Sequence, residues 1–206
     1  MKTPIDNFTY QWVPGAPDHK RVLLALHGTG GDEHDLIPLA RTLDPGAAVL
    51  SPRGRVDEQG SNRFFRRLAE GVFDFENMAQ ETAALSAFVE SASEEYGFSS
   101  ESLFALGFSN GANMAASLLL TDPSVLAGGV LIRAMVPFMP DPIPNLRGKK
   151  ILVLSGRFDP LVPLDNAEKL VSVFRSGGAE VEHLVFETGH NLSREDISAA
   201  QAWFGA

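Results

Sequence analysis

The chain has 206 residues, 44% hydrophobic and 21% charged, which is enough apolar material for one buried core and too much for a disordered polypeptide. Seventeen basic against 26 acidic residues give a net charge of −9, which argues against general nucleic-acid binding and offers nothing to an anionic membrane surface. The absence of cysteine excludes a disulfide framework, a thiolate metal site and a cysteine nucleophile.

Met1–Asn7 has no apolar core of the signal-peptide kind, and no apolar run nears the ~18 residues of a membrane span, so the expected setting is the cytoplasm without stable membrane insertion. Phe8–Val13, ahead of the Pro14-Gly15 turn, reads as an antiparallel edge strand. Arg21–His27 is a short apolar run ended by Gly28, the pattern of a strand covered on both faces. Asp32-Glu33-His34-Asp35 reads as an acidic helix start. Adjacent positions on a helix do not face one ligand, so it is not read as a metal site. Ala47–Leu50 is a second strand.

Asn77–Tyr96 carries Met78, Thr82, Leu85, Val89, Ala92 and Tyr96 at spacings of three or four, a helix with Gly97 as its C-cap. Leu103–Leu106 is a strand and Asn113–Leu120 a helix closed by Asp122-Pro123. Strands follow at Gly129–Ile132 and Ile151–Leu154. Asp165 is expected to cap a helix that stops at Gly177-Gly178. A strand at Val181–Phe186 leads to a Ser193–Asp196 capping box before the last helix. This alternation predicts one α/β domain over 1–206, with a mostly parallel central sheet and helices on both faces. The four prolines between 137 and 144 read as a loop near the C-terminal edge of the sheet, where open α/β sheets bind ligands.

Three strand ends carry chemistry. Gly107-Phe108-Ser109-Asn110-Gly111 fits G-x-S-x-G between a strand and a helix. A serine in that tight turn needs small neighbours and sits over a helix N-terminus, which marks it as a nucleophile. Asp159 lies just past the Ile151–Leu154 strand, and His190 follows Gly189 past the last strand. Alone, Asp159-Pro160 is a turn signal and His190 a loop histidine. Together they follow the order Ser, Asp, His used by α/β-hydrolases. Acyl transfer also needs backbone N–H groups aimed at the developing oxyanion. Asn110, after the nucleophile, is one candidate. The glycine-rich His27–Gly31 loop supplies the other, at Thr29 with Gly30 as the near alternative. The loop lacks the spacing and lysine of a phosphate-binding loop. His27 is expected to buttress that loop, while His183 falls within a strand and His19 in the opening turn.

His27–Glu33, Gly107–Asn113, Asp159–Pro163 and Gly189-His190, with Pro52-Arg53-Gly54, resemble the bacterial carboxylesterase/phospholipase family, the small α/β-hydrolases that include the acyl-protein thioesterases. The likeness runs from about residue 20 to the C-terminus. It implies an α/β-hydrolase fold with a minimal lid, a Ser109–Asp159–His190 triad and an oxyanion hole at Thr29 and Asn110. It also implies a small-molecule ester substrate and no metal or organic cofactor. The elbow reads Ser-Asn-Gly-Ala where the thioesterases have Ser-Gln-Gly-Gly, and residues 63–74 differ from their lipid-groove loop, which favours small esters. Phe65, Met135, Phe138, Leu161 and Val162 are candidates for an apolar acyl pocket, with core packing as the alternative. Arg66 and Arg67 are read as solvated charge rather than substrate contacts. Rival readings are a thioesterase or lysophospholipase with the same triad, a dienelactone hydrolase (a group with cysteine at the elbow), and a non-catalytic ligand receptor. Oligomeric state, a homodimer included, is open.

Overall fold

A computed structural model describes residues 7–69 and 71–205; the Met1–Asp6 stretch, read above for a leader, lies outside them. Seven strands form the central sheet: β1 (Tyr10–Val13), β2 (Val22–Leu26), β3 (Ala48–Pro52), β8 (Leu103–Phe108), β9 (Gly128–Ile132), β10 (Lys150–Gly156) and β11 (Glu180–Phe186). Their order is β1-β3-β2-β8-β9-β10-β11. β1 runs antiparallel to β3, and every other neighbouring pair is parallel. Five helices cover the two faces: α1 (Ile37–Leu43), α2 (Phe75–Tyr96), α3 (Asn110–Thr121), α4 (Leu164–Ser176) and α5 (Arg194–Gly205).

The apolar runs are continuous because each strand feeds two cores. Along β2, Leu24 and Leu26 point into the core that includes α2, α3 and α4, while Leu23 and Ala25 point into the core that includes α1 and α5. β10 divides the same way, Ile151 and Val153 to one side and Leu152 and Leu154 to the other. Alternate side chains leave opposite faces of a strand, so a sheet covered twice must be apolar at both parities. Among the described residues no helix is long and apolar enough to cross a membrane.

Helix ends follow local chemistry. Asp74 caps α2 by accepting the Asn77 N–H (3.1 Å), and Gly97 closes it at φ 71°. At α5, Ser193 Oγ accepts the Asp196 N–H (3.2 Å) while Asp196 Oδ2 accepts the Ser193 N–H (2.8 Å), a capping box with aspartate at its third position. Three expectations are corrected. The 32–35 segment is a turn: Asp32 Oδ1 accepts the His34 N–H two residues on (2.8 Å), and α1 begins only at Ile37, with Pro38 in its first turn. Asp165 lies inside α4, whose N-cap is Pro163. α3 begins at Asn110, three residues before Asn113, because Ser109 itself is its N-cap.

Residues 56–73, which carried no strand expectation, form two small hairpins. β4 (Val56–Glu58) pairs with β5 (Ser61–Arg63), and β6 (Arg67–Ala69) with β7 (Val72–Phe73).

Candidate active site

Ser109 joins β8 to α3 at φ 51° and ψ −113°, a backbone conformation costly for any residue with a Cβ. Two hydrogen bonds hold it there: its N–H donates to Ile132 O (2.9 Å), and its carbonyl accepts the Asn113 N–H (3.0 Å). The flanking glycines are sterically required. A Cβ on Gly107 would stand 2.6 Å from Ala112 Cα, and one on Gly111 would collide with the Leu26 carbonyl. The elbow is therefore wedged against β2 and the first turn of its own helix.

His190 reaches this serine from the loop after β11. Its Nδ1 lies 2.8 Å from Asp159 Oδ2 and its Nε2 2.9 Å from Ser109 Oγ. Asp159 Oδ1 accepts the N–H groups of Leu161 (2.8 Å) and Val162 (3.0 Å). A carboxylate can only accept, so Nδ1 donates and Nε2 is left with a lone pair facing the hydroxyl. A hydroxyl in that position can pass its proton to the imidazole. The structure thus brings together all three residues singled out in the sequence.

One residue that holds this arrangement had not been singled out. Arg133 follows β9 at φ 57°, and its side chain is fully buried. Its guanidinium grips Asp196 through Nη1 (2.9 Å) and Nη2 (2.6 Å). The remaining N–H groups donate to Gly189 O (2.9 Å), Asn191 O (3.1 Å) and Leu154 O (3.2 Å). The carbonyls on either side of His190 are thus fixed by one side chain. The available signal was a lone arginine inside the apolar stretch Gly129–Met135.

Next to the serine, the Thr29 and Asn110 backbone N–H groups are committed to no carbonyl among the described residues, whereas the Gly30 N–H donates to Asn62 O (2.9 Å). Gly30 is thereby removed as an alternative donor. Thr29 Oγ1 accepts from Arg63 Nη1 (2.6 Å), Asn110 Oδ1 accepts the Phe64 N–H (2.7 Å), and Asn113 Oδ1 accepts the Met135 N–H (2.9 Å). These bonds tie α3 to the hairpin layer and to the loop after β9.

His27 buttresses the same loop. Its Nδ1 donates to Gly28 O (2.6 Å) and its Nε2 accepts the Gly54 N–H (2.9 Å). Burial holds its pKa below the ordinary histidine value, and a proton on Nε2 would cost the Gly54 bond. In the unfolded chain His27 takes up a proton near pH 6.5, which the folded chain resists. The unfolded state therefore binds more protons below that pH, and stability falls on acidification from pH 7 to 5. His183 is also depressed by burial and contributes in the same direction. His27→Gln keeps an acceptor and a donor but has no titration. Its urea midpoint should fall measurably less than that of the wild type between pH 7 and 5; equal slopes would assign the effect elsewhere.

A cavity of about 340 Å³ opens onto Ser109 and His190. Met135, Leu161 and Val162 line it, as expected, but Phe65 and Phe138 do not. Phe65 is fully buried behind Phe73, edge-on at 5.0 Å, and Phe73 takes the lining position. Phe138 packs against the larger core. Arg66 is exposed and paired with Asp74 (2.8 Å), whereas Arg67 lines the cavity. Of the 32–35 acids, Glu33 is held by the Arg53 guanidinium, Nη2 to Oε1 at 2.8 Å, which keeps its carboxyl below the usual range.

The sheet order, the serine at the β8–α3 elbow and the histidine beyond the last strand define an α/β-hydrolase. Residues 11–204 match the phospholipase/carboxylesterase family, and the chain belongs to it. It is 41% identical over 183 residues to MhqD of Bacillus subtilis (strain 168), covering 89% of this chain and 92% of that one. The Bacillus cereus carboxylesterase superimposes with a TM-score of 0.93 at 41% identity, over 96% of this chain and 93% of the other. A carboxylesterase from Mesorhizobium loti gives a TM-score of 0.90 at 30% identity, over 97% and 95%. The protein is a hydrolase of this family.

Proposed function

We propose that the protein is a serine carboxylesterase acting in the cytoplasm on short- to medium-chain carboxylic esters. The observation that carries this reading is the unbroken hydrogen-bond chain from Asp159 through His190 to Ser109 at the mouth of the cavity. In the proposed reaction His190 Nε2 takes the Ser109 proton as Oγ attacks the ester carbonyl. Asp159 keeps the imidazole oriented and stabilises its charged form. The oxyanion accepts from the Thr29 and Asn110 backbone N–H groups, which lie beside the N-terminus of α3. Collapse of the tetrahedral intermediate breaks the bond to the alcohol oxygen, which leaves with the proton from His190. Water, deprotonated by the same imidazole, then attacks the acyl-enzyme, and the acid departs as Ser109 recovers its proton. The triad supplies acid, base and nucleophile, so every step proceeds without a cofactor.

The apolar lining from Phe73, Met135 and Val162 suits a few carbons of acyl chain, and 340 Å³ lies near the lower limit for small-molecule sites. Hydrolysis of p-nitrophenyl esters from acetate to palmitate should therefore peak at short chains. A maximum at palmitate would move the assignment to a lysophospholipase or thioesterase using the same triad.

A further inference from the structure

One wall of the active-site cavity carries charge that the reaction above does not use. Arg63 and Arg67 both line the cavity, and among the described residues no aspartate or glutamate does. In a chain of net charge −9 this is a local reversal of sign. Arg63 is nearly buried, with its side chain 5% exposed. Its Nε donates to Phe65 O (3.1 Å) and its Nη1 to Thr29 Oγ1 (2.6 Å), while Nη2 has no partner among the described residues. Arg67 donates through Nε to Glu58 Oε1 (2.9 Å), and both of its Nη groups remain unpaired among those residues. Glu58 lies against both guanidinium groups, with Oε2 buried 3.5 Å from Arg63 Nε and hydrogen-bonded to nothing. The Arg67 bond holds the Glu58 carboxyl below its usual range, so it is charged at neutral pH. Two cations and one anion leave the trio at +1.

We propose that Arg63 and Arg67 form a carboxylate subsite inside the active-site cavity, and that the preferred esters are short ones bearing one free carboxylate. This inference rests on the esterase reading and deepens it by naming the substrate class. A guanidinium offers paired N–H donors that match the two oxygens of a carboxylate. The net charge of +1 matches a monoanion better than the near-dianion of a phosphate monoester. The two guanidinium groups repel one another in a partly desolvated wall, and a bound carboxylate relieves that repulsion. Against the acidic surface as a whole, the same pair gives the cavity a local field that attracts an anion.

Two matched pairs of esters test the proposal by pH-stat titration. Monomethyl succinate against methyl butyrate places the carboxylate on the acyl side. O-acetyl-lactate against isopropyl acetate places it on the alcohol side. In at least one pair the charged ester should have the higher kcat/KM, by about tenfold or more, and that pair identifies the side that reaches the arginines. Arg67→Met should reduce this preference about tenfold, and Arg67→Lys should restore part of it. Arg63 is less suitable for the test because it also holds Thr29. Preference for the neutral ester in both pairs, or a preference unchanged in Arg67→Met, overturns the subsite. The Ser109→Ala variant separates the two levels. If it is inactive toward methyl butyrate while the wild type shows no charge preference, the subsite alone fails. If it matches the wild type, or if the wild type hydrolyses none of the four esters, the esterase reading fails and the subsite with it.

Discussion

Replacing Ser109 with alanine is expected to lower kcat toward p-nitrophenyl butyrate by about 10⁴–10⁶-fold. The size follows from the proposed mechanism, in which no acyl-enzyme forms without Oγ and any residual rate comes from the oxyanion donors and from binding. The side chain that is lost makes one hydrogen bond, to His190 Nε2, and lies at the cavity rather than in the core. Alanine must still adopt φ 51°, a cost that serine already bears. The urea midpoint should therefore stay close to that of the wild type, and KM should change little. Ser109→Ala combined with His190→Ala should be no slower than the single variant, because in the proposed mechanism nucleophile and base act as a unit. A variant that retains a tenth or more of wild-type kcat would place the nucleophile elsewhere. So would a double variant slower by the product of the two single effects.

The parts of this architecture legible in the sequence were those where one physical requirement dominates. A strand buried on both faces must be apolar at both parities, so β2, β8, β9 and β10 stood out as runs. The elbow was legible because Gly107 and Gly111 each face backbone that leaves no room for a Cβ. The hairpins at 56–73 were not. Their strands are two or three residues long, and the register shifts between Arg67 and Ala69, so no alternation of period two can establish itself. Phe65 lies ahead of β6, buried against Phe73, and it is Phe73 that reaches the cavity. Asp165 resembled a cap because its residue type and position fit, yet the chain enters α4 through Pro163, where no side-chain bond is made. Arg67 was read as solvated charge because sequence spacing does not reveal the cavity wall that β6 helps to build. Asp159, His190 and Ser109 were readable only jointly, as an order along the chain. Their hydrogen-bond distances depend on loops fixed by residues that no motif contains.

Arg133 is the clearest of those residues, and Asp196→Ala should be the most damaging single change away from the reacting atoms. It leaves a guanidinium charge fully buried without its partner, a loss of about 3–5 kcal/mol, against a total stability of about 5–15 kcal/mol for a typical domain. It also removes the acceptor of the Ser193 N–H at the start of α5. An unfolding free energy from urea titration within about 1 kcal/mol of the wild type would show that water or relaxation already screens the pair. The double replacement Arg133→Met with Asp196→Leu separates stability from function. Removing both charges avoids the unpaired one, and apolar substitutes of similar volume often restore stability. The carbonyls of Gly189 and Asn191 nevertheless lose their donor, so the loop that aims His190 at Ser109 is no longer fixed. The double variant is therefore expected to be more stable than Asp196→Ala, yet to show kcat reduced about 10²-fold with little change in KM, the effect of a base misplaced by about an ångström. Wild-type kcat in a stable double variant would make the ion pair a scaffold for α5 alone. A kcat deficit that persists after stability is recovered would make Arg133 a positioning residue for the histidine.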